Sequence, residues 1–212
     1  MNYKRITAGV AAAVATVSIV ATSFAGPAGA SSAQAEDSPP GTITDIVAAS
    51  GSGFDTNGRD YDVLLAAVTA AGLGGTLATP GLDVTVWAPK DRAFVRTAQD
   101  LGFTGANTDE AGAWSFLVTA LTSIGGGDPI PTLTTILKYH VTPDARGPGR
   151  VLAATRFPTL AEIGIRHVPG SLALIDKDPD IANPRLVPDA LNIRASNGVI
   201  HTINRVLIPV NL

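Results

Sequence analysis

The chain has 212 residues, no cysteine and a net charge of −3 at neutral pH, with 45% hydrophobic and 16% charged residues. That length suits one or two domains. The missing cysteines exclude disulfide staples, thiolate nucleophiles and sulfur metal sites, so an exported domain would rest on its core alone. Lys and Arg are scattered singly, which leaves no basic face for nucleic acid.

At the N-terminus, Lys4 and Arg5 precede an apolar run from Ile6 to Val20, and the small-residue sites Ala28-Gly-Ala30 and Ala33-Gln-Ala35 follow. This is the pattern of a secretory signal peptide over residues 1–30, cleaved after Ala30 or Ala35. The run falls short of the roughly 20 apolar residues that a stable membrane span needs. Loss of Lys4 and Arg5 takes the net charge from −3 to −5. Residues 31–41, rich in Ser, Ala and Pro, read as a disordered linker. The globular part is expected over 42–212, as one domain without internal repeats.

Thr42 with Asp45 forms a capping-box pattern that opens a short helix through Ala49. Gly51 to Asp60 reads as a surface loop, with Asn57-Gly-Arg-Asp60 an ordinary turn. From Tyr61 to Ala71, Leu64, Leu65, Val68 and Ala71 make one helical stripe that Gly72 stops. Asp83 to Trp87 alternates as a strand, Val84 and Val86 on one side, Thr85 and Trp87 on the other, and Pro89 blocks its continuation. Asp91 is placed to cap the next helix, whose stripe is Phe94, Val95 and Ala98. Ala111 to Ile124 is a further helix ending at Gly125-Gly-Gly127. Pro131 suits the first turn of another, carrying Leu133, Ile136 and Leu137, before the chain turns extended at Tyr139. Short apolar runs broken by Pro and Gly fill Val151 to Arg194 and read as several short strands. Helices first and strands later predict an α+β fold, helices packed on a largely antiparallel sheet in a wedge or sandwich.

The last segment carries the strongest signal. Asn197-Gly198 is a tight turn, and Val199 to Ile208 alternates with apolar or β-branched residues on both faces, which places this strand in the centre of a sheet until Pro209 ends it.

Three motifs resemble signatures of the fasciclin (FAS1) domain. Ser196-Asn-Gly-Val-Ile-His201 with the strand to Pro209 resembles the second signature. Thr85-Val-Trp-Ala-Pro89-Lys-Asp-Arg-Ala-Phe94 resembles the first, with Trp87 in the place of the usual Phe. Tyr139-His140 resembles the Tyr-His motif. Their order and spacing agree, over roughly residues 41–212. The resemblance implies adhesion or matrix association through contacts with a cell-surface protein or polysaccharide. It marks Thr85, Val86, Trp87, Ala88, Pro89, Phe94, Tyr139, His140, Asn197, Gly198 and His201 as motif residues with partner binding in view. The Asp-Ile pair linked to integrins in some animal members is here Asn192-Ile193, so that role does not carry over.

The residues themselves point away from catalysis. There is no Gly-x-Ser-x-Gly elbow and no Ser-x-x-Lys, and Glu occurs only at 36, 110 and 162, a poor supply for glycoside cleavage. His140, His167 and His201 lack the i, i+4 pairing of a zinc site. His140 and His201 read as hydrogen-bonded interior imidazoles, Tyr139 and His140 pointing to opposite sides of an extended chain. Asp176-Lys-Asp178-Pro-Asp180 matches positions 1, 3 and 5 of a calcium loop but has Ile181 where Gly belongs and Val187 where Glu belongs, so it reads as a solvated acidic loop. No catalytic residue, metal site or cofactor is expected. Trp87 and Trp114 sit in apolar patterns and read as core, not as sugar-binding platforms.

The reading is a secreted binding module with no membrane span after signal cleavage, presenting the loops 51–60, 104–110 and 125–131 on a rigid framework. The rivals are an accessory subunit of a secreted or membrane complex and a hydrolase. Three residues beyond Pro209 leave no room for a sorting tail, so retention at the cell would need non-covalent capture.

Overall fold

Val84 and Val86 do face one way and Thr85 and Trp87 the other, and that alternation organises the molecule. In the computed structural model, which describes residues 41–51 and 53–211, strand β1 (Val84–Pro89) lies between β2 (Val141–Pro143) and β7 (Gly198–Ile203). The four-stranded order is β2-β1-β7-β6, with β6 at Ile193–Ala195. β7 is central, as its two apolar faces predict. The expected signal peptide, residues 1–30, and most of the expected linker, 31–41, lie outside the described residues.

One face of this sheet packs on helices. Val84, Val86, Ala88, Val141 and Ile200 meet Ile43 and Val47 of α1 (Ile43–Ser50), Leu64 and Val68 of α2 (Asp62–Ala70), Phe94 of α4 (Asp91–Asp100), Leu121 of α5 (Glu110–Ile124) and Leu133 and Leu137 of α6 (Ile130–Tyr139). A one-turn helix, α3 (Gly74–Leu77), sits between α2 and β1. The other face, led by Trp87 and Ile203, packs on a second, three-stranded antiparallel sheet: β3 (Arg156–Phe157), β4 (Ile165–His167) and β5 (Leu174–Ile175). Phe157, Ile165 and Leu174 are fully buried there. The architecture is α+β, helices on one side and a small sheet on the other.

Local chemistry explains the helix ends. The Thr42 hydroxyl accepts from the Asp45 amide at 3.3 Å and the Asp45 carboxylate accepts from the Thr42 amide at 2.8 Å, the reciprocal capping box at the start of α1. Gly72, at φ +67°, follows α2 in the left-handed conformation that a glycine adopts without penalty. Pro131 lies in the first turn of α6.

Several elements differ from the sequence reading. The pairing of β1 with β7 is parallel, Val84 opposite Gly198 through Pro89 opposite Ile203, so the main sheet is mixed, while β1–β2 and β6–β7 are antiparallel. β7 stops at Ile203, five residues early. Beyond it the backbone amides of Val206, Leu207 and Ile208 bond to side chains, Thr97 Oγ1 at 3.1 Å, His140 Nε2 at 2.9 Å and Asp176 Oδ2 at 2.9 Å, in place of a strand ladder. Tyr139 is the last residue of α6 and His140 its C-cap, so both are buried and neither lies on an extended chain. Pro148–Ala153 is a helix, α7, opened by a proline in its first turn. The Asp176–Asp180 segment is solvated only in part: Lys177, Pro179 and Asp180 are exposed, but Asp178 is buried, its carboxylate accepting from the amides of Asp180 and Ile181, and Asp176 ties down Ile208.

Candidate functional site

The motif residues gather around the β1–β7 pair, and ten of the eleven are buried; Gly198 is half-buried. Trp87 is the hub. Its ring lies 4.8 Å from Phe157 and is stacked 5.6 Å from His201, and its indole N–H donates to Thr142 Oγ1 at 3.0 Å. Thr85 donates to the Asp144 carbonyl at 2.7 Å and accepts from the Arg146 amide at 2.9 Å. Val86 and Ala88 pack under the helices, with Phe94 of α4 beside them, and Pro89 ends the parallel pairing.

His140 has one ring nitrogen against the Ile136 carbonyl at 2.8 Å, while the other accepts from the Leu207 amide at 2.9 Å, which joins α6 to the C-terminal segment. Burial holds its pKa down to about 4, so it is neutral at physiological pH. His201 bridges the Arg146 carbonyl at 2.7 Å and the Asn192 amide at 3.2 Å, and burial lowers its pKa too. Asn197 does most for its size: its carbonyl accepts from the Ile43 amide at 2.9 Å and its amide group donates to the Leu77 and Thr79 carbonyls at 2.7 and 3.1 Å, which ties the start of β7 to α1 and α3. At Gly198 any Cβ would overlap the Val84 carbonyl across the ladder. The Tyr139 hydroxyl is buried without a hydrogen-bond partner, and burial raises its pKa.

Cavities border this framework on more than one side. An apolar one of about 90 Å³ lies under α1 and α2, lined by Val47, Leu64, Val68, Val86, Trp87 and His140. A groove of about 370 Å³ runs past Asp83, Arg194, Ser196, Asn197 and Gly198 at the end of the sheet. The expected contact loops lie elsewhere, and two carry exposed apolar side chains: Phe54 in 51–60 and Ile130 in 125–131, the latter joined by Ile124 at the end of α5.

A second polar cluster escaped the sequence reading. Asp91 does not cap its own helix. Its carboxylate accepts from the Asp62 and Val63 amides at 3.1 and 2.8 Å and so caps α2, 28 residues away in sequence. Around it stand Asp55, Asp60, Asp62 and Glu110. Asp62, Asp91 and Glu110 are each the first residue of a helix, and only the tertiary packing brings those three helix starts together. Burial, then Asp60, pushes Asp91 up to about 8. Burial also raises Glu110, and burial followed by the Asp60 charge raises Asp62, a shift that the nearby Gly53 amide opposes.

An α+β scaffold with its motif residues spent on internal hydrogen bonds defines a framework domain. The family profile of the Fasciclin domain matches residues 59–209, and the chain belongs to the fasciclin domain family. It is 30% identical over 175 residues to transforming growth factor-beta-induced protein ig-h3 of Sus scrofa, an alignment that covers 81% of this chain and 20% of that protein. The solved FAS1 domain pair from the insect cell adhesion molecule fasciclin I superimposes with a TM-score of 0.51 at 14% identity, over 80% of this chain and 51% of that one, a likeness of fold. The chain thus spans about a fifth of the curated relative and half of the solved chain. Among the described residues, no helix is long and apolar enough to cross a membrane.

Proposed function

We propose that this protein is an extracellular, non-catalytic binding module that acts in adhesion or in association with the matrix or envelope, through contacts with a cell-surface protein or polysaccharide. The observation that carries the reading is the internal use of the histidines. Both ring nitrogens of His140, His167 and His201 lie within hydrogen-bond distance of backbone groups, which leaves none of the three to move a proton to or from a substrate. Membership of the fasciclin domain family and the fold shared with a cell adhesion molecule support the same reading.

On this reading the β1–β7 motif residues hold the loops and do not touch the partner. Ile124, the last residue of α5, and Ile130 of the loop 125–131, at 51% and 38% exposure, and Phe54 of the loop 51–60, at 40%, are the apolar anchors on offer. Residues 1–30 act as the export signal, 31–41 as the linker and 42–212 as the binding domain; N-terminal sequencing of protein from the medium tests the cleavage after Ala30 or Ala35.

Co-sedimentation of the purified protein with producer cells, stripped cell walls and extracted exopolysaccharide tests the function. Saturable binding to one of these, weakened several-fold by Ile124→Ser with Ile130→Ser in a protein of unchanged melting temperature, is the expected result. Binding to none of the three would refute it.

A further inference from the structure

We propose that the acidic corner formed by Asp55, Asp60, Asp62, Asp91 and Glu110 is a divalent cation site that takes calcium. Oxygens of Asp55, Asp62 and Glu110 lie within 4.8 Å of one another, as do oxygens of Asp60, Asp91 and Glu110. Glu110 belongs to both triads, so one carboxylate links the two halves of the corner.

The second observation is the state of those oxygens. Asp60, Asp62 and Glu110 are 7%, 4% and 1% exposed. Asp60 Oδ1, both oxygens of Asp62 and Glu110 Oε1 are buried without any hydrogen-bond partner. The neighbouring oxygens are used: Asp60 Oδ2 accepts from the Asn57 side chain at 2.9 Å within the 51–60 loop, and Glu110 Oε2 accepts from the Asp55 amide at 2.9 Å, which holds that loop against the start of α5. The ion pairs among the described residues lie elsewhere, at Asp144 and Asp100, so no basic side chain neutralises the cluster. Buried carboxylate oxygens are normally paired or bound to a metal. Two things can satisfy these: protons shared between carboxylates, as between Asp60 and Asp91, or a cation among them.

The donor set selects the ion. It is made of carboxylate oxygens only, with no nitrogen or sulfur to favour zinc or copper. Calcium takes 6–8 oxygens at about 2.3–2.6 Å in irregular arrangements, whereas magnesium demands a near-ideal octahedron at about 2.0–2.1 Å and keeps several waters. Carboxylates from three helix starts and a loop, at uneven spacing, suit calcium. Asp55 is exposed and gives the ion its way in. Gly51 leaves the space on which Asp62 stands, since a Cβ there would overlap Asp62 Oδ1.

Binding would displace protons from the cluster, so affinity rises with pH. The experiment is calorimetric and thermal titration of the full-length protein, first stripped with chelator, with calcium chloride and in parallel with magnesium chloride. At 100 times the dissociation constant, calcium is expected to raise the melting temperature by about 5–10 °C, with tighter binding at pH 8 than at pH 6. Asp62→Asn and Glu110→Gln are expected to weaken binding at least tenfold and yet to melt higher than the parent in chelator, because each removes a buried like charge; that rise also shows that the variants fold. Asp176→Asn, away from the corner, leaves the calcium response intact. No heat and no thermal shift up to 10 mM calcium would overturn the site in favour of shared protons. A calcium response that survives in both Asp62→Asn and Glu110→Gln would overturn its location, and a magnesium response as large as that of calcium would overturn the choice of ion.

Discussion

The β1–β7 framework and the acidic corner are both buried and both polar, yet they spend their polar atoms in opposite ways. Around Trp87, His140, Asn197 and His201, nearly every donor and acceptor has a backbone or side-chain partner. At Asp60, Asp62 and Glu110, four oxygens have none. A satisfied interior network fixes a unique arrangement, whereas an unsatisfied one costs stability and survives where something else compensates. In this chain the family motifs mark the first region and chemistry points to the second.

The contrast breaks most clearly at Trp87. Trp87→Ala removes a fully buried ring and orphans Thr142, and is expected to cost about 3–5 kcal/mol in urea unfolding; a loss below 1 kcal/mol would mean that the ring does not organise the core. Next comes pH. His140 has a folded pKa of about 4, below its ordinary value, so its contribution is fully present above about pH 6.5 and lost as pH falls towards 4, roughly 3 kcal/mol in all. Asp91 has the opposite sign: its folded pKa of about 8 means that stability is present below about pH 4 and lost as pH rises through 8. Stability in chelator should therefore decline from pH 6.5 to 8.5, where the histidine contribution is constant, and that decline should flatten in calcium. A flat profile in chelator would remove the contrast.

Asn197→Ala leaves the Ile43 amide and the Leu77 and Thr79 carbonyls without their partner, which should cost about 2–3 kcal/mol by the same unfolding assay. Asp100→Asn loosens the half-exposed Arg205 ion pair at 2.8 Å and should cost under about 1 kcal/mol, an effect that shrinks in salt. Smallest of all is Tyr139→Phe. It deletes a buried hydroxyl that makes no hydrogen bond, so stability should hold or rise slightly; a loss above 1 kcal/mol would show that the hydroxyl has a partner after all.

Much of the framework was legible from the chain. The two-sided alternation of Val199 to Ile203 put β7 in mid-sheet, Val84/Val86 against Thr85/Trp87 assigned the faces of β1, and Thr42 with Asp45 located α1, because each of these patterns has a period or spacing that only one local structure satisfies. Less legible were Tyr139 and His140, where a helix end and a strand start share the same residues, and Asn204 to Ile208, where an alternating pattern continues but side chains of Thr97, His140 and Asp176 take the amides. The helix α7 was hidden by its shortness and its Pro and Gly.

Composition, periodicity and three motifs by themselves determined the α+β class, the core faces and membership of the fasciclin domain family, since those depend on patterns within ten or so neighbouring residues. Whether the central strands run parallel, that Asp91 caps another helix, and that Asp55, Asp60, Asp62, Asp91 and Glu110 meet were decided only in the tertiary structure. The physical reason is distance along the chain. Asp55 and Glu110 are 55 residues apart, and no local pattern encodes a contact that exists only once three helix starts have packed on one another.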